Sequence, residues 1–136
     1  DGYIAEGTGD NFFMVKNGAL YTPEGRNILR GISRAYVLEL AEQLDIPWHE
    51  CNIEPFDLYE AKEAFLTATP FCVLPTTHLN GLPIGDGKMG AITQKLLDQW
   101  SENVGVDIVQ QIKGYAQEVE NWQQSDSPTP YQFSSK

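Results

Sequence analysis

The stretch NFFMVKNGALYTP, Asn11 to Pro23, decides how the rest of the chain is read. Two apolar runs flank Asn17-Gly18. A type I′ turn needs two successive residues at positive φ, and Asn-Gly accepts that conformation with little strain, so the segment predicts a β-hairpin. A second pair, Asn80-Gly81, lies between VLPTTHL and LPIG and predicts another. Outward from these turns, the apolar patterns predict strands near 2–5, 11–16, 19–22, 64–68, 72–79 and 82–84, with a strand-like HECNI over 49–53.

Helical spacing alternates with these strands. From Ser33, Val37, Leu40, Ala41 and Leu44 recur at intervals of three and four, which is one face of a helix that Pro47 ends. Asp57 with Glu60 predicts a capping box for a short helix through Ala61. Ile92, Leu96, Leu97 and Trp100 share the face of a helix from Ala91. Asp107 is placed to cap a last helix carrying Ile108, Ile112 and Tyr115. After Trp122, QQSDSPTPYQFSSK is polar and rich in Pro and Ser, so 123–136 is expected to be a loose or strapped-on tail and 1–122 the domain. The order of hairpin, helix, strand, helix, hairpin and helix predicts a mixed α/β (α+β) domain with largely antiparallel strand pairs.

The chain has 136 residues and a hydrophobic content of 41%, enough for one domain with a real core. Its net charge of -10 argues against broad binding to a phosphate backbone, so no nucleic-acid partner is expected. No apolar run approaches membrane-spanning length and no signal-peptide pattern opens the chain, so no membrane partner is expected either. Cys51 and Cys72 are isolated thiols, which favours a reduced, cytoplasmic protein over a disulfide. The chain starts at Asp1 and enters a strand pattern at once, as part of a longer protein would.

Three segments carry possible chemistry. Glu6 ends a strand-like YIA run against Gly-Thr-Gly, with no lysine or arginine beside it. If buried, such a carboxylate needs a partner from elsewhere in the fold or from a ligand. LRGISR, Leu29 to Arg34, marks the change from loop to helix. A helix N-terminus offers free N–H groups and a positive dipole end to a phosphate, Gly31 permits close approach and Ser33 adds a hydroxyl. The plainer alternative is that Ser33 caps its own helix. FLTATP, Phe65 to Pro70, closes an apolar strand with threonines that can serve one small anion or simply favour a strand. His49 and His78 lack ligand spacing, so no metal is expected. GDGKMG, Gly85 to Gly90, lacks the Ser or Thr that completes a P-loop and is expected to be a turn before a helix.

Taken together, GYIAEGTGDNFFMVKNGALYTP (2–23), LRGISRAYVLELAEQL (29–44) and EAFLTATPFCVLPTTHLNGLPIGDGKMGAIT (63–93) resemble the C-terminal domain of class IV (fold type IV) pyridoxal-phosphate aminotransferases. That family includes branched-chain and D-amino-acid aminotransferases and aminodeoxychorismate lyases. The resemblance covers residues 1 to about 100 in order. It implies a mixed, largely antiparallel pseudo-barrel sheet surrounded by helices, as in the second domain of D-amino-acid aminotransferase-like proteins.

The resemblance also implies roles. Glu6 would pair with the pyridine nitrogen of pyridoxal 5'-phosphate and keep it protonated, so the pyridinium itself would be the missing cation. Gly31, Ile32 and Ser33 would hold the phosphate, Leu29 would pack on the ring, and Thr69 would reach the phosphate with the Ala68 backbone close by. The family's Schiff-base lysine would lie upstream of Asp1, so no catalytic residue is assigned within the chain and the fragment alone is expected to be inactive. Pro70 departs from the branched-chain pattern, because proline offers no N–H to a substrate carboxylate. The implied activity is branched-chain-like transfer of an amino group between an amino acid and a 2-oxo acid, both small-molecule partners, by a homodimer. The alternatives are a class IV lyase and a non-catalytic scaffold or oligomerisation domain.

Overall fold

Residues Phe12 to Val15 are buried without a gap, because the strand that carries them is covered on both faces. The structure is a computed structural model and describes residues 2–124. Its elements are β1 (Glu6–Gly7), β2 (Asp10–Lys16), β3 (Ala19–Pro23), α1 (Ile32–Gln43), β4 (Trp48–Cys51) and α2 (Pro55–Glu60). Then follow β5 (Glu63–Ala68), β6 (Cys72–Pro75), β7 (His78–Leu79), β8 (Leu82–Pro83), α3 (Ala91–Val104) and α4 (Ile108–Gln124). The main sheet runs β4-β3-β2-β5-β6 with β1 added to β2, and β7 and β8 form a separate ribbon.

Pleating sorts the β2 side chains by parity. Phe13 and Val15 join Leu20, Phe65, Val37, Leu40, Leu96 and Trp100 on the face covered by α1 and α3. Phe12 and Met14 point the other way, toward Ile53, Leu58, Ala64 and Ile84. Phe13 and Phe65 are cross-strand partners, and their rings stack with centroids 5.1 Å apart. Burying each of these side chains stabilises the fold by about 1.5–3 kcal/mol.

Both Asn-Gly turns are present, with Asn17, Gly18, Asn80 and Gly81 all at positive φ. The fold is the expected mixed α/β type with a mostly antiparallel sheet, but it contains one parallel pair. β3 and β4 run side by side in the same direction, Leu20 opposite Trp48, joined by α1 as a crossover.

Several boundaries differ from those expected. The run 2–5 forms only an isolated bridge, Ile4 to Ile53, and ladder pairing begins at Glu6. The run 72–79 divides, since β6 completes the sheet and β7 belongs to the ribbon. α1 ends at Gln43, and Asp45 turns the chain at φ 54 before Pro47 is reached. The capping box of α2 lies one turn earlier than expected. Glu54 is the N-cap, Pro55 opens the helix, and the Glu54 N–H donates to Asp57 Oδ2 at 2.8 Å. Asp57 is thus the third helical residue, not the cap. Asp107 caps α4 as expected, its Oδ1 accepting the Gln110 N–H at 3.0 Å. α4 continues to Gln124, past the expected start of the tail at 123, and the rest of that tail lies outside the described residues.

Candidate functional site

Glu6 and Asn11 stand opposite each other because Thr8-Gly9 folds β1 back on β2 in the register Glu6 to Asn11. Gly9, at φ 87, takes the left-handed position of that turn, and Asp10 Oδ1 closes it by accepting the Gly7 N–H at 3.0 Å. Across the other edge of β2, Asn11 is opposite Thr67 of β5. Directly paired residues share a face, so Glu6, Asn11 and Thr67 form a row across three strands.

The loop before α1 is tied to this row. Asn11 Nδ2 donates to Glu6 Oε2 at 3.0 Å and to the Leu29 carbonyl at 2.8 Å. The Leu29 N–H donates to Glu6 Oε2 at 2.9 Å. Glu6 is exposed, so the burial penalty that would demand a cation does not arise, and its protein partners are neutral N–H groups.

α1 starts at Ile32 with Gly31 as N-cap and no side-chain cap. Ser33 therefore does not cap its own helix, because it already lies within the first turn, where it is buried. The N–H groups of Ile32, Ser33 and Arg34 have no helical acceptor and lie at the positive end of the helix dipole. The Gly31 N–H is already used, donating to the Leu29 carbonyl at 2.9 Å. Gly31 serves here through space rather than unusual φ. A Cβ at that position would stand 2.5 Å from Asn11 Oδ1.

These segments enclose a cavity of about 200 Å³. Glu6 and Leu29 line one side, Gly31, Ile32 and Ser33 another, and Ala68 and Thr69 the end of β5. The structure thus brings together every position singled out as a cofactor contact. Leu29 and Ile32 stand on the rim, 75% and 87% exposed. Gly9, Asp10, Asn11 and Thr67 line it as well; Thr67 is one of the two threonines that the sequence offers to an anion, whereas Asn11 escaped the reading of the sequence. The signal for Asn11 was the Gly-Thr-Gly turn, since a two-residue hairpin there fixes it opposite Glu6.

Other polar groups lie elsewhere. Arg34, though in the first turn of α1, donates to Glu50 Oε1 at 2.7 Å and to the Pro23 carbonyl. Lys16 pairs with Glu60, a hydrogen bond that raises the lysine above its ordinary pKa range. His49 packs against Tyr21, and His78 shares a hydrogen bond with the Thr77 hydroxyl. Asp86 closes the GDGKMG turn by accepting the Lys88 N–H. Cys51 and Cys72 are free thiols, both pushed up in pKa by burial. Among the described residues, no three His, Cys, Asp or Glu side chains gather as metal ligands, and no helix is long and apolar enough to cross a membrane.

The chain is similar in sequence and fold to known proteins. The family described as "Amino-transferase class IV" matches residues 1–79. A branched-chain-amino-acid aminotransferase from Pseudomonas aeruginosa is 42% identical over 96 residues, covering 71% of this chain and 31% of that protein. The corresponding protein of Escherichia coli is 36% identical over 97 residues, covering 71% and 31%. The crystal structure of Escherichia coli branched-chain amino acid aminotransferase superposes with a TM-score of 0.68 at 36% identity, over 70% of this chain and 32% of that one. That of a T.th. branched-chain amino acid aminotransferase in complex with N-(5'-phosphopyridoxyl)-L-glutamate gives 0.72 at 35% identity, over 74% and 34%. The chain spans about a third of the length of these curated relatives. With the match running through β1, β2, α1 and β5, the elements that build the cavity, the chain belongs to the class IV aminotransferase family.

Proposed function

We propose that the full-length protein is a pyridoxal-phosphate-dependent aminotransferase that moves an amino group between a branched-chain amino acid and a 2-oxo acid, and that this chain supplies the cofactor cradle. The observation that carries this proposal is the pairing of opposite chemistries in one cavity. Glu6 presents a carboxylate fixed by Leu29 and Asn11, while the uncapped start of α1, with Ser33 and Thr69, presents N–H and hydroxyl donors. That donor set fits a ligand with a protonated nitrogen at one end and a phosphate at the other. Class IV aminotransferases depend on pyridoxal phosphate, and a relative of similar fold has been solved with a phosphopyridoxyl compound.

When bound, the cofactor supplies an electron-accepting ring for the charge that develops at the substrate α-carbon. Glu6 holds the proton at the ring nitrogen. The N–H groups of Ile32 and Ser33, with the Ser33 and Thr69 hydroxyls, bind the phosphate. Ala68 shapes the wall beside it and Leu29 covers the ring. The α-proton would be moved by a lysine that this proposal puts upstream of Asp1 in the full-length protein. Pro70 follows Thr69 and has no N–H, so the substrate carboxylate must be met by other donors. The same proposal gives a homodimer working in the cytoplasm.

The test is to load the full-length protein with pyridoxal phosphate and supply valine, leucine or isoleucine with 2-oxoglutarate. Formation of the branched 2-oxo acid supports the proposal. Release of pyruvate from an aminodeoxychorismate-type substrate would make it a lyase. No cofactor binding and no turnover would leave the scaffold reading.

A further inference from the structure

We infer that Asn11 is a positioning residue for the Glu6 carboxylate, acting through Glu6 and not on the cofactor itself. The inference rests on the cofactor proposal above. Asn11 is only 5% exposed, so its amide is locked within the fold. Both protons of its NH2 group are assigned, one to Glu6 Oε2 and one to the Leu29 carbonyl. The Leu29 N–H donates to the same Glu6 oxygen. Glu6 Oε2 is therefore gripped by two donors from different segments. Among the described residues Oε1 accepts no hydrogen bond, which leaves it for a ligand in the cavity.

The opposite end of the amide matters equally. Asn11 Oδ1 occupies the space that Gly31 leaves by lacking a Cβ. The side chain thus spans from the residue held against the ring nitrogen to the residue that precedes the phosphate-facing turn. Both ends of the cradle take their spacing from a single buried amide. Without Asn11, Glu6 keeps the Leu29 bond alone and gains rotational freedom, as an exposed side chain on a two-residue strand would. A site loses its preorganisation when the support for a first contact is removed.

The experiment uses the full-length protein loaded with pyridoxal phosphate carrying 15N at the ring nitrogen. Wild type is compared with Glu6→Gln, Asn11→Ala, Asn11→Ser and, as a structural control, Thr22→Val. Thr22 is fully buried and donates to the Phe12 carbonyl at 2.8 Å, outside the cavity. Expected is a displacement of the 15N resonance toward neutral pyridine in Glu6→Gln. Asn11→Ala should give a smaller displacement in the same direction, with kcat lower by about tenfold and substrate KM little changed. Thr22→Val should melt earlier without moving the resonance. If Asn11→Ala fails to fold, Asn11→Ser, which keeps one short donor, must show the displacement. A resonance unmoved in the folded Asn11 variants, while Glu6→Gln moves it, would overturn the role of Asn11 alone. A wild type that does not bind the cofactor, or a resonance insensitive to Glu6→Gln, would overturn the cofactor proposal and this inference with it.

Discussion

Glu6 and Leu29 are 23 positions apart in sequence, yet the Leu29 N–H donates to Glu6 Oε2 at 2.9 Å. This bond holds the loop before α1 against the β1–β2 hairpin. It also sets which part of the Glu6 side chain remains open to the cavity. A glutamine can still accept that N–H through its own Oε1, so Glu6→Gln should keep the loop in place. In the full-length, cofactor-loaded protein we expect the melting temperature to change by no more than about 2 °C. The single-turnover rate of α-proton removal should fall by at least about a hundredfold, because the charge at the ring nitrogen is lost. An unchanged rate would show that Glu6 does not face that nitrogen.

Gly31→Ala is expected to destabilise by about 1–3 kcal/mol, although its backbone, φ −65 and ψ 147, is acceptable for alanine. The damage is steric, since the new methyl carbon would lie 2.5 Å from Asn11 Oδ1. The penalty should shrink in an Asn11→Ala background, where the obstruction is gone. Urea denaturation of the two single variants and the double variant measures the coupling. Strictly additive losses would mean that the two side chains do not compete for that space.

Glu63 presents a third case. Its carboxylate is 8% exposed and takes the N–H groups of Ile92 at 2.9 Å and Thr93 at 2.7 Å, together with the Thr93 hydroxyl at 2.7 Å. The N-cap of α3 is Gly90, which has no side chain to do this, so a residue of β5 caps the helix from across the fold. Glu63→Ala should cost about 2 kcal/mol and speed hydrogen exchange at Ile92 and Thr93. Glu63→Gln should cost less, since one acceptor remains. Equal exchange in all three proteins would remove Glu63 from that role.

The two thiols should respond differently to salt. Burial raises the pKa of both, but at Cys51 the charges of Asp57 and Glu24 add to burial, whereas at Cys72 burial acts alone. The thiolate is the reactive form, so alkylation of either thiol near pH 8 should be slower than that of a small free thiol and should accelerate as pH rises. Added salt screens the carboxylates and favours the Cys51 thiolate, so its rate should increase while that of Cys72 stays nearly constant. Rates followed by peptide mass analysis between about 0.05 and 0.5 M salt check this. A parallel response at both thiols would contradict it.

The strands and turns around the Asn-Gly pairs were legible because their signal is local. Two residues fix the turn, and alternate side chains fix the faces. The parallel partnership of β3 with β4 was not legible, since nothing in WHEC states which edge it will join. The α2 cap was misplaced for a related reason. Asp57 with Glu60 and Glu54 with Asp57 have the same spacing, and only the backbone at Glu54, extended at φ −91, selects between them. Within the cavity, Glu6 and the 31–33 turn were legible through the family resemblance. Asn11 stayed hidden inside the apolar run NFFMV, because its part depends on register across β1 and on a missing methyl group at Gly31.

The central place of β2 also shapes how the chain is made. Its residues leave the ribosome well before those of β5, a delay of several seconds at about 5–20 residues per second. During that interval β3 can pair with β2, but the edge from Asn11 to Val15 that will receive Glu63 to Thr67 has no partner. Phe12, Phe13 and Met14 sit along that open edge, the kind of template on which unfinished chains adhere to one another. A nascent chain halted before Glu63 would therefore carry this apolar edge without the strand that covers it.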